Sequence, residues 1–177
     1  MSYPDNPKEI YKASLDTVAK IMTVFVFLMG VAGIILIFTV PPWYGGLFLF
    51  ATGFVLILVF YIYSVKSYRI TDEKLIIERP FSHFNKEFPL SNISSARLEV
   101  KGEFRWTIRS AGNGGIFGYS GTYVNNQIGN FIMYATNRNN RVIIILKHPV
   151  KTIVISPDDS DLVEAINNKL HKYAPNT

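Results

Sequence analysis

Between Lys20 and Lys66 the chain holds no Asp, Glu, Lys or Arg, and this gap constrains the fold more than any other feature. A charge at the centre of a bilayer costs roughly 2.5–3.5 kcal/mol, so a long charge-free stretch is what a membrane span requires. Ile21 to Val40 forms a first apolar run. As a helix rising ~1.5 Å per residue it reaches about 30 Å, the thickness of the hydrocarbon core. Pro41-Pro42 ends this run, because proline lacks the N–H that a helix needs and its ring clashes with the preceding turn. Gly45-Gly46 reopens the chain, and a second run continues to Tyr63. The pattern predicts a transmembrane α-helical hairpin over 21–65, preceded by a segment 1–20 and followed by a separate domain over 66–177. Gly30, Gly33 and Gly53 lie on the two spans, and small residues there predict a close helix crossing.

A cleaved leader fits poorly. Its apolar core is about 7–15 residues, the run here is longer, and Pro-Pro-Trp-Tyr follows instead of a small-x-small cleavage site. Orientation is read from Lys and Arg, which collect on the cytoplasmic side of a span. Lys8, Lys12 and Lys20 precede the first span, Lys66, Arg69 and Lys74 follow the second, and the elbow has neither residue type. A multi-pass protein of the inner (cytoplasmic) membrane with both termini in the cytoplasm is the expectation. Trp43 and Tyr44 fall at the outer interface and Tyr61, Tyr63 and Tyr68 near the inner one, where amphipathic rings sit. The net charge is +5 and the pI about 9.4. Basic residues beside spans meet anionic headgroups, which accounts for this balance without a nucleic-acid partner. The absence of cysteine excludes a disulfide framework and thiolate chemistry.

After Lys66 the apolar period changes from helical to two. Short strands are predicted over 68–71, 74–79, 84–88, 97–101, 104–109, 131–136, 141–146 and 151–155. Such a run of short strands between turn residues suits a small antiparallel barrel or sandwich. With Lys101-Gly102-Glu103 as a loop, Val100 faces Phe104, Leu98 faces Trp106 and Ala96 faces Ile108. That register puts the three pairs on one buried face and Glu99 opposite Arg105. A closing helix is predicted from Pro157 to about Lys172, with Ser156 as N-cap, Asp158 and Asp159 at the positive end of its dipole, and Lys169, His171 and Lys172 in its last turn. Leu162, Ala165, Ile166 and Leu170 form its apolar stripe, with Val163 at the margin, so the helix is expected to dock on the β domain.

Several stretches carry a family resemblance. They are Tyr68-Arg-Ile-Thr-Asp-Glu-Lys-Leu-Ile-Ile-Glu-Arg79, Pro89-Leu-Ser-Asn-Ile93, Gly112-Asn-Gly-Gly-Ile-Phe-Gly-Tyr-Ser-Gly121, Met133-Tyr-Ala-Thr-Asn-Arg138 and Val154-Ile-Ser-Pro-Asp158. Over roughly 68–170 the chain resembles the bacterial pleckstrin-homology-like proteins in which the domain follows a two-span hairpin. The resemblance implies a mainly-β barrel of about seven antiparallel strands capped by a C-terminal helix. It also implies a binding or scaffold module.

The stretch Gly112 to Gly121 holds five glycines. It lacks the Lys-Ser/Thr of a P-loop and the third Gly of a dinucleotide fingerprint, so a phosphate cradle is not expected. It reads as a long loop whose Ile116, Phe117, Tyr119 and Tyr123 are candidate contacts for a membrane-protein or peptide partner. Arg105 and Arg109, with Arg97 and Lys101, form a candidate basic face. Glu99 and Glu103 interleave them, so a charge-balanced solvated face is the simpler reading. His83, His148 and His171 have no ligand spacing, and the acid pairs Asp72-Glu73 and Asp158-Asp159 read as a turn and a helix start. No metal, cofactor or catalytic constellation is expected. The functional expectation is a membrane-tethered module held in the bilayer by two spans. The alternative is a small accessory subunit of a membrane enzyme or transport complex.

Overall fold

A computed structural model describes residues 9–173, with side chains as far as residue 170. Lys8 and the side chains of His171 and Lys172, used in the expectations above, lie outside the described residues. Two apolar helices come early, α1 (Thr17–Thr39) and α2 (Tyr44–Ile62). Each is long and apolar enough, by length and composition, to cross a bilayer. Phe25, Leu28, Phe48 and Phe54 stand exposed on their outer faces. The contact between them is built on glycine. A Cβ at Gly33 would come within 2.6 Å of the Phe50 backbone nitrogen, and one at Gly46 within 2.5 Å of that of Ile37. Gly53 sits against Gly30. The close crossing is present, and small residues permit it by letting the two backbones approach.

Ten strands follow in chain order among the described residues: β1 (Ile10–Lys12), which precedes the helices, then β2 (Ser67–Ile70), β3 (Lys74–Glu78), β4 (Lys86–Pro89), β5 (Ile93–Leu98), β6 (Thr107–Gly115), β7 (Gly118–Asn125), β8 (Gly129–Ala135), β9 (Val142–Leu146) and β10 (Lys151–Ile155). They form a four-stranded sheet, β1-β2-β3-β4, and a six-stranded sheet, β5-β9-β10-β8-β7-β6. The β8–β10 pair is parallel and the other ladders are antiparallel. β5 and β6 are the outer strands of the larger sheet, so the sheet order describes two open sheets and not a closed barrel. β1 pairs with β2 across the whole helix pair, Ile10 opposite Arg69 and Lys12 opposite Ser67. Both ends of the helical hairpin therefore return to the same sheet.

Alternation along the central strands makes two cores. Val142, Ile144 and Leu146 of β9, with Ile153 and Ile155 of β10, pack with Tyr68, Ile70, Leu75 and Ile77 of the first sheet. The intervening Ile143 and Val154 point to the opposite face and join Phe104, Tyr119, Tyr123, Phe131 and Met133. A strand buried on both faces reads as a continuous apolar run, as Val142–Leu146 does. The C-terminal helix α3 (Asp161–Tyr173) buries Leu162 and Ile166 in the first core, with Val163 and Leu170 at its margin. Its docked face is the predicted one, but it begins later. Ser156 is fully buried and its Oγ accepts the Thr136 and Asn137 N–H groups at 2.8 and 3.2 Å. The Asp158 carboxylate accepts from the Ser14 N–H and hydroxyl at 2.9 and 2.6 Å. Both side chains tie distant segments together instead of capping a helix.

The predicted pairing of Ala96, Leu98 and Val100 with Ile108, Trp106 and Phe104 is overturned. β5 pairs with β9 and β6 with β7. Trp106 and Ile108 are 69% and 72% exposed, while Phe104 is buried against Phe131. Two ion pairs hold the segment between the strands out of register. Glu103 binds the Arg97 guanidinium through both oxygens, at 3.0 and 2.5 Å, and also accepts the Val100 N–H at 2.9 Å. Glu99 binds Arg141 at 2.6 Å instead of facing Arg105.

Candidate functional site

The glycine-rich stretch is not a loop. It is the β6–β7 hairpin, with Ile116 and Phe117 alone at its tip. Gly112 stands directly opposite Gly121, and a Cβ on either would come within 2.2 or 2.1 Å of a carbonyl oxygen on the facing strand. Their φ angles, +112° and +136°, are also left-handed, so this pair needs glycine on both counts. A register shift between Arg109 and Ala111 bends the same strand. Asn113 braces the tip: its Oδ1 accepts the Gly115 and Ile116 N–H groups at 3.2 and 3.1 Å, and its Nδ2 donates to the Ile116 carbonyl. The Tyr123 hydroxyl donates to the Asn113 carbonyl at 3.0 Å.

The tip rests on the two apolar helices. The Phe117 N–H donates to Thr23 Oγ1 of α1 at 2.8 Å. The Phe117 ring meets Phe27 of α1 and Tyr61 of α2 edge-on, with centroids 6.2 and 5.5 Å away. Phe117 has φ +55°, a conformation that costs a non-glycine residue of order 1–3 kcal/mol and persists where surrounding contacts over-determine it. Deeper in the hairpin, Asp16 caps α1 by accepting the Ala19 N–H at 2.7 Å. The same carboxylate accepts the Tyr119 hydroxyl at 3.0 Å and the Arg138 backbone N–H and Nε at 3.2 Å. Burial pushes the Asp16 carboxyl up, but the Ala19 N–H, Tyr119 and Arg138 outweigh it and hold the group below its ordinary value. Burial first, and the Asp16 bond next, push the Tyr119 phenol up to about 12. Asp16 was not among the candidate residues read from sequence, although an Asp three residues before the first buried apolar helix position is an N-cap signal.

On one face of the hairpin a cavity of about 300 Å³ opens, walled by Phe104, Tyr119, Tyr123 and three arginines, Arg109, Arg138 and Arg141. Arg141 pairs with Glu99 and lies 3.8 Å over the Phe104 ring, and burial lowers its pKa. Arg138 is shared with Asp16 and lies 5.6 Å over Tyr119. The Arg109 guanidinium crosses the bare backbone at Gly114, where a Cβ would come within 1.8 Å of Nη1. Tyr119, Tyr123 and Arg109 thus converge in one cup, while Ile116 and Phe117 sit apart at the tip. Arg105 lies elsewhere, exposed and 5.6 Å from the Trp106 ring. Arg97 on β5 and Arg109 on β6 stand at opposite edges of the six-stranded sheet, so with Lys101 and Arg105 they do not form one basic face. Arg138 and Arg141 enter the site from the β8–β9 turn, a contribution that strand-by-strand reading of the sequence does not reveal. Among the described residues no cluster of His, Asp or Glu is placed to hold a metal ion.

Residues 66–170 match the family model of the bacterial PH domain, more than half of the chain. The chain belongs to this family. No curated protein and no solved structure matches it. The matched span takes in the glycine hairpin, the arginine cup and most of α3, and leaves out β1 and both apolar helices. The contacts of Phe117 and Tyr119 with Thr23, Phe27, Tyr61 and Asp16 therefore join the PH domain to segments outside it.

Proposed function

We propose that this protein is a membrane-tethered binding and scaffold module that performs no catalysis. Its two helices span the cytoplasmic membrane, both termini face the cytoplasm, and the PH domain is held against the inner surface. One observation carries the reading: the β6–β7 hairpin is seated on both helices through Phe117 and on the α1 cap through Tyr119 and Asp16. A domain fastened at its own hairpin presents its remaining surface in a set orientation, which is what a scaffold at a membrane requires. The return of β1 to β2 supports termini on one side. The cup beside the hairpin suits an acidic group on a membrane-protein or peptide partner, because guanidinium groups bind carboxylates in a planar, two-pronged geometry. Two of its arginines are already matched by Asp16 and Glu99, which leaves Arg109 as the residue for the incoming anion.

The test is a photo-crosslinking residue at Thr107, on the rim of the cup, in the full chain in cells. Recovery of one specific membrane partner, lost on Arg109→Glu, is the expected result. Crosslinking unchanged by Arg109→Glu would exclude the cup as the docking site. Turnover of a substrate by the purified protein would overturn the non-catalytic reading.

A further inference from the structure

The opposite face of the same hairpin holds a second cavity, of about 280 Å³. Its walls come from the end of α2 (Val59 and Phe60) and its C-cap Tyr63, from Ser120 of the hairpin, and from Ile132 of β8. Gly112 and Gly121 keep another wall free of side chains. Arg79 closes it. This residue is 7% exposed, and its Nε is buried with no hydrogen-bond partner. No carboxylate pairs with it among the described residues. Its backbone N–H is fixed by the Asn85 side chain at 2.8 Å, and its guanidinium is flanked by the rings of Tyr63 and Tyr134, 5.2 and 5.7 Å away.

A buried cation without a counter-charge is costly, and two flanking rings offset only part of that cost. Burial accordingly lowers the Arg79 pKa. The cavity sits at the cytoplasmic end of α2 on the membrane reading above, on which this inference rests. That is the depth at which lipid phosphates lie. Val59, Phe60 and Ile132 give the cavity apolar walls that suit the glycerol and upper acyl region of a lipid, and a guanidinium takes a phosphate through two parallel N–H bonds. We propose that this cavity binds the phosphate of a membrane phospholipid, with Arg79 as its cationic ligand. The lipid thus supplies the missing counter-charge and cements the PH domain to the helix pair.

The experiment uses the full chain purified in detergent and titrated with dihexanoylphosphatidylglycerol or with inorganic phosphate, with native mass spectrometry as the readout. Wild type is expected to bind the lipid, and Arg79→Gln to bind it at least tenfold more weakly with an unchanged circular dichroism spectrum. Val59→Trp keeps Arg79 but fills the cavity, and should show the same loss; it decides the matter if Arg79→Gln fails to fold. Lipid binding as tight as wild type in folded Val59→Trp or Arg79→Gln protein would overturn the proposal. So would inorganic phosphate binding as tightly as the lipid with the same dependence on Arg79, since the ligand would then be free phosphate. Alkaline carbonate extraction separates the two layers of the argument. Release of wild type from membranes would sink the membrane reading, whereas retention with unchanged lipid binding by the variants would sink this inference alone.

Discussion

One carboxylate, that of Asp16, is shared by three parts of the molecule: the first turn of α1, Tyr119 of β7 and Arg138 of the β8–β9 turn. Its pKa is lowered in the folded state, so its contribution to stability is full above the ordinary carboxylate value of about 3.9 and is lost as pH falls through the lowered value. Asp16→Ala should cost about 1–3 kcal/mol at neutral pH, through the lost cap and the stranded tyrosine and arginine. Asp16→Asn keeps a capping oxygen and removes the charge. It should flatten the acid limb of a stability–pH curve, measured by denaturant unfolding between pH 7 and pH 2; an unchanged limb would show that Asp16 is not the titrating link. Glycines separate as sharply. Gly121→Ala drives a Cβ into the Ala111 carbonyl at φ +136° and should destabilise by roughly 1–3 kcal/mol. Gly45 has open space around it, and Gly45→Ala should leave the melting temperature nearly unchanged. From sequence Tyr119 and Tyr123 are candidate partner contacts on a loop, because their neighbours are glycines, which weaken a strand. The left-handed φ that Gly112 and Gly121 supply is invisible in composition, and it is what turns the stretch into a hairpin with both tyrosines inside.

Elements with a clean period were legible: the two apolar helices, the strands around Tyr68, Leu75, Ile143 and Ile153, and the face of α3. Leu162→Ala should cost about 2–5 kcal/mol and Asn168→Ala almost nothing, because Asn168 is exposed; equal melting temperatures for the two would contradict the docking of α3. The β5–β6 pairing was not legible because a register argument between chain neighbours ignores distant competitors. Val142–Leu146 is apolar on both faces and takes β5 as its edge partner. β1, at three residues, is too short to show a period. The hairpin β6–β7 carries Ile-Phe at its tip, not the Asn-Gly that signals a two-residue turn; the pair is there because Thr23, Phe27 and Tyr61 receive it. Phe117→Ser should leave the ladders intact while the amide of residue 117 exchanges hydrogen faster. An unchanged exchange rate would mean that the ring contacts do not hold the tip.

At the scale of the whole molecule, two apolar helices joined through glycine leave a single sheet and return to it, and a bacterial PH domain clasps their ends. The charge-free gap and its basic flanks made the membrane reading accessible from sequence. The clasp was not, because it pairs residues some ninety positions apart, as Thr23 and Phe117 are. The chain has no cysteine, so single cysteines report without background. The most direct measurement places one at Trp43, in the elbow, and another at Val150, which is 83% exposed on the PH domain, and labels spheroplasts with a membrane-impermeant maleimide. Trp43→Cys should be labelled in intact spheroplasts and Val150→Cys only after permeabilisation. Labelling of Val150→Cys from outside, or protection of both positions until lysis, would contradict the membrane reading.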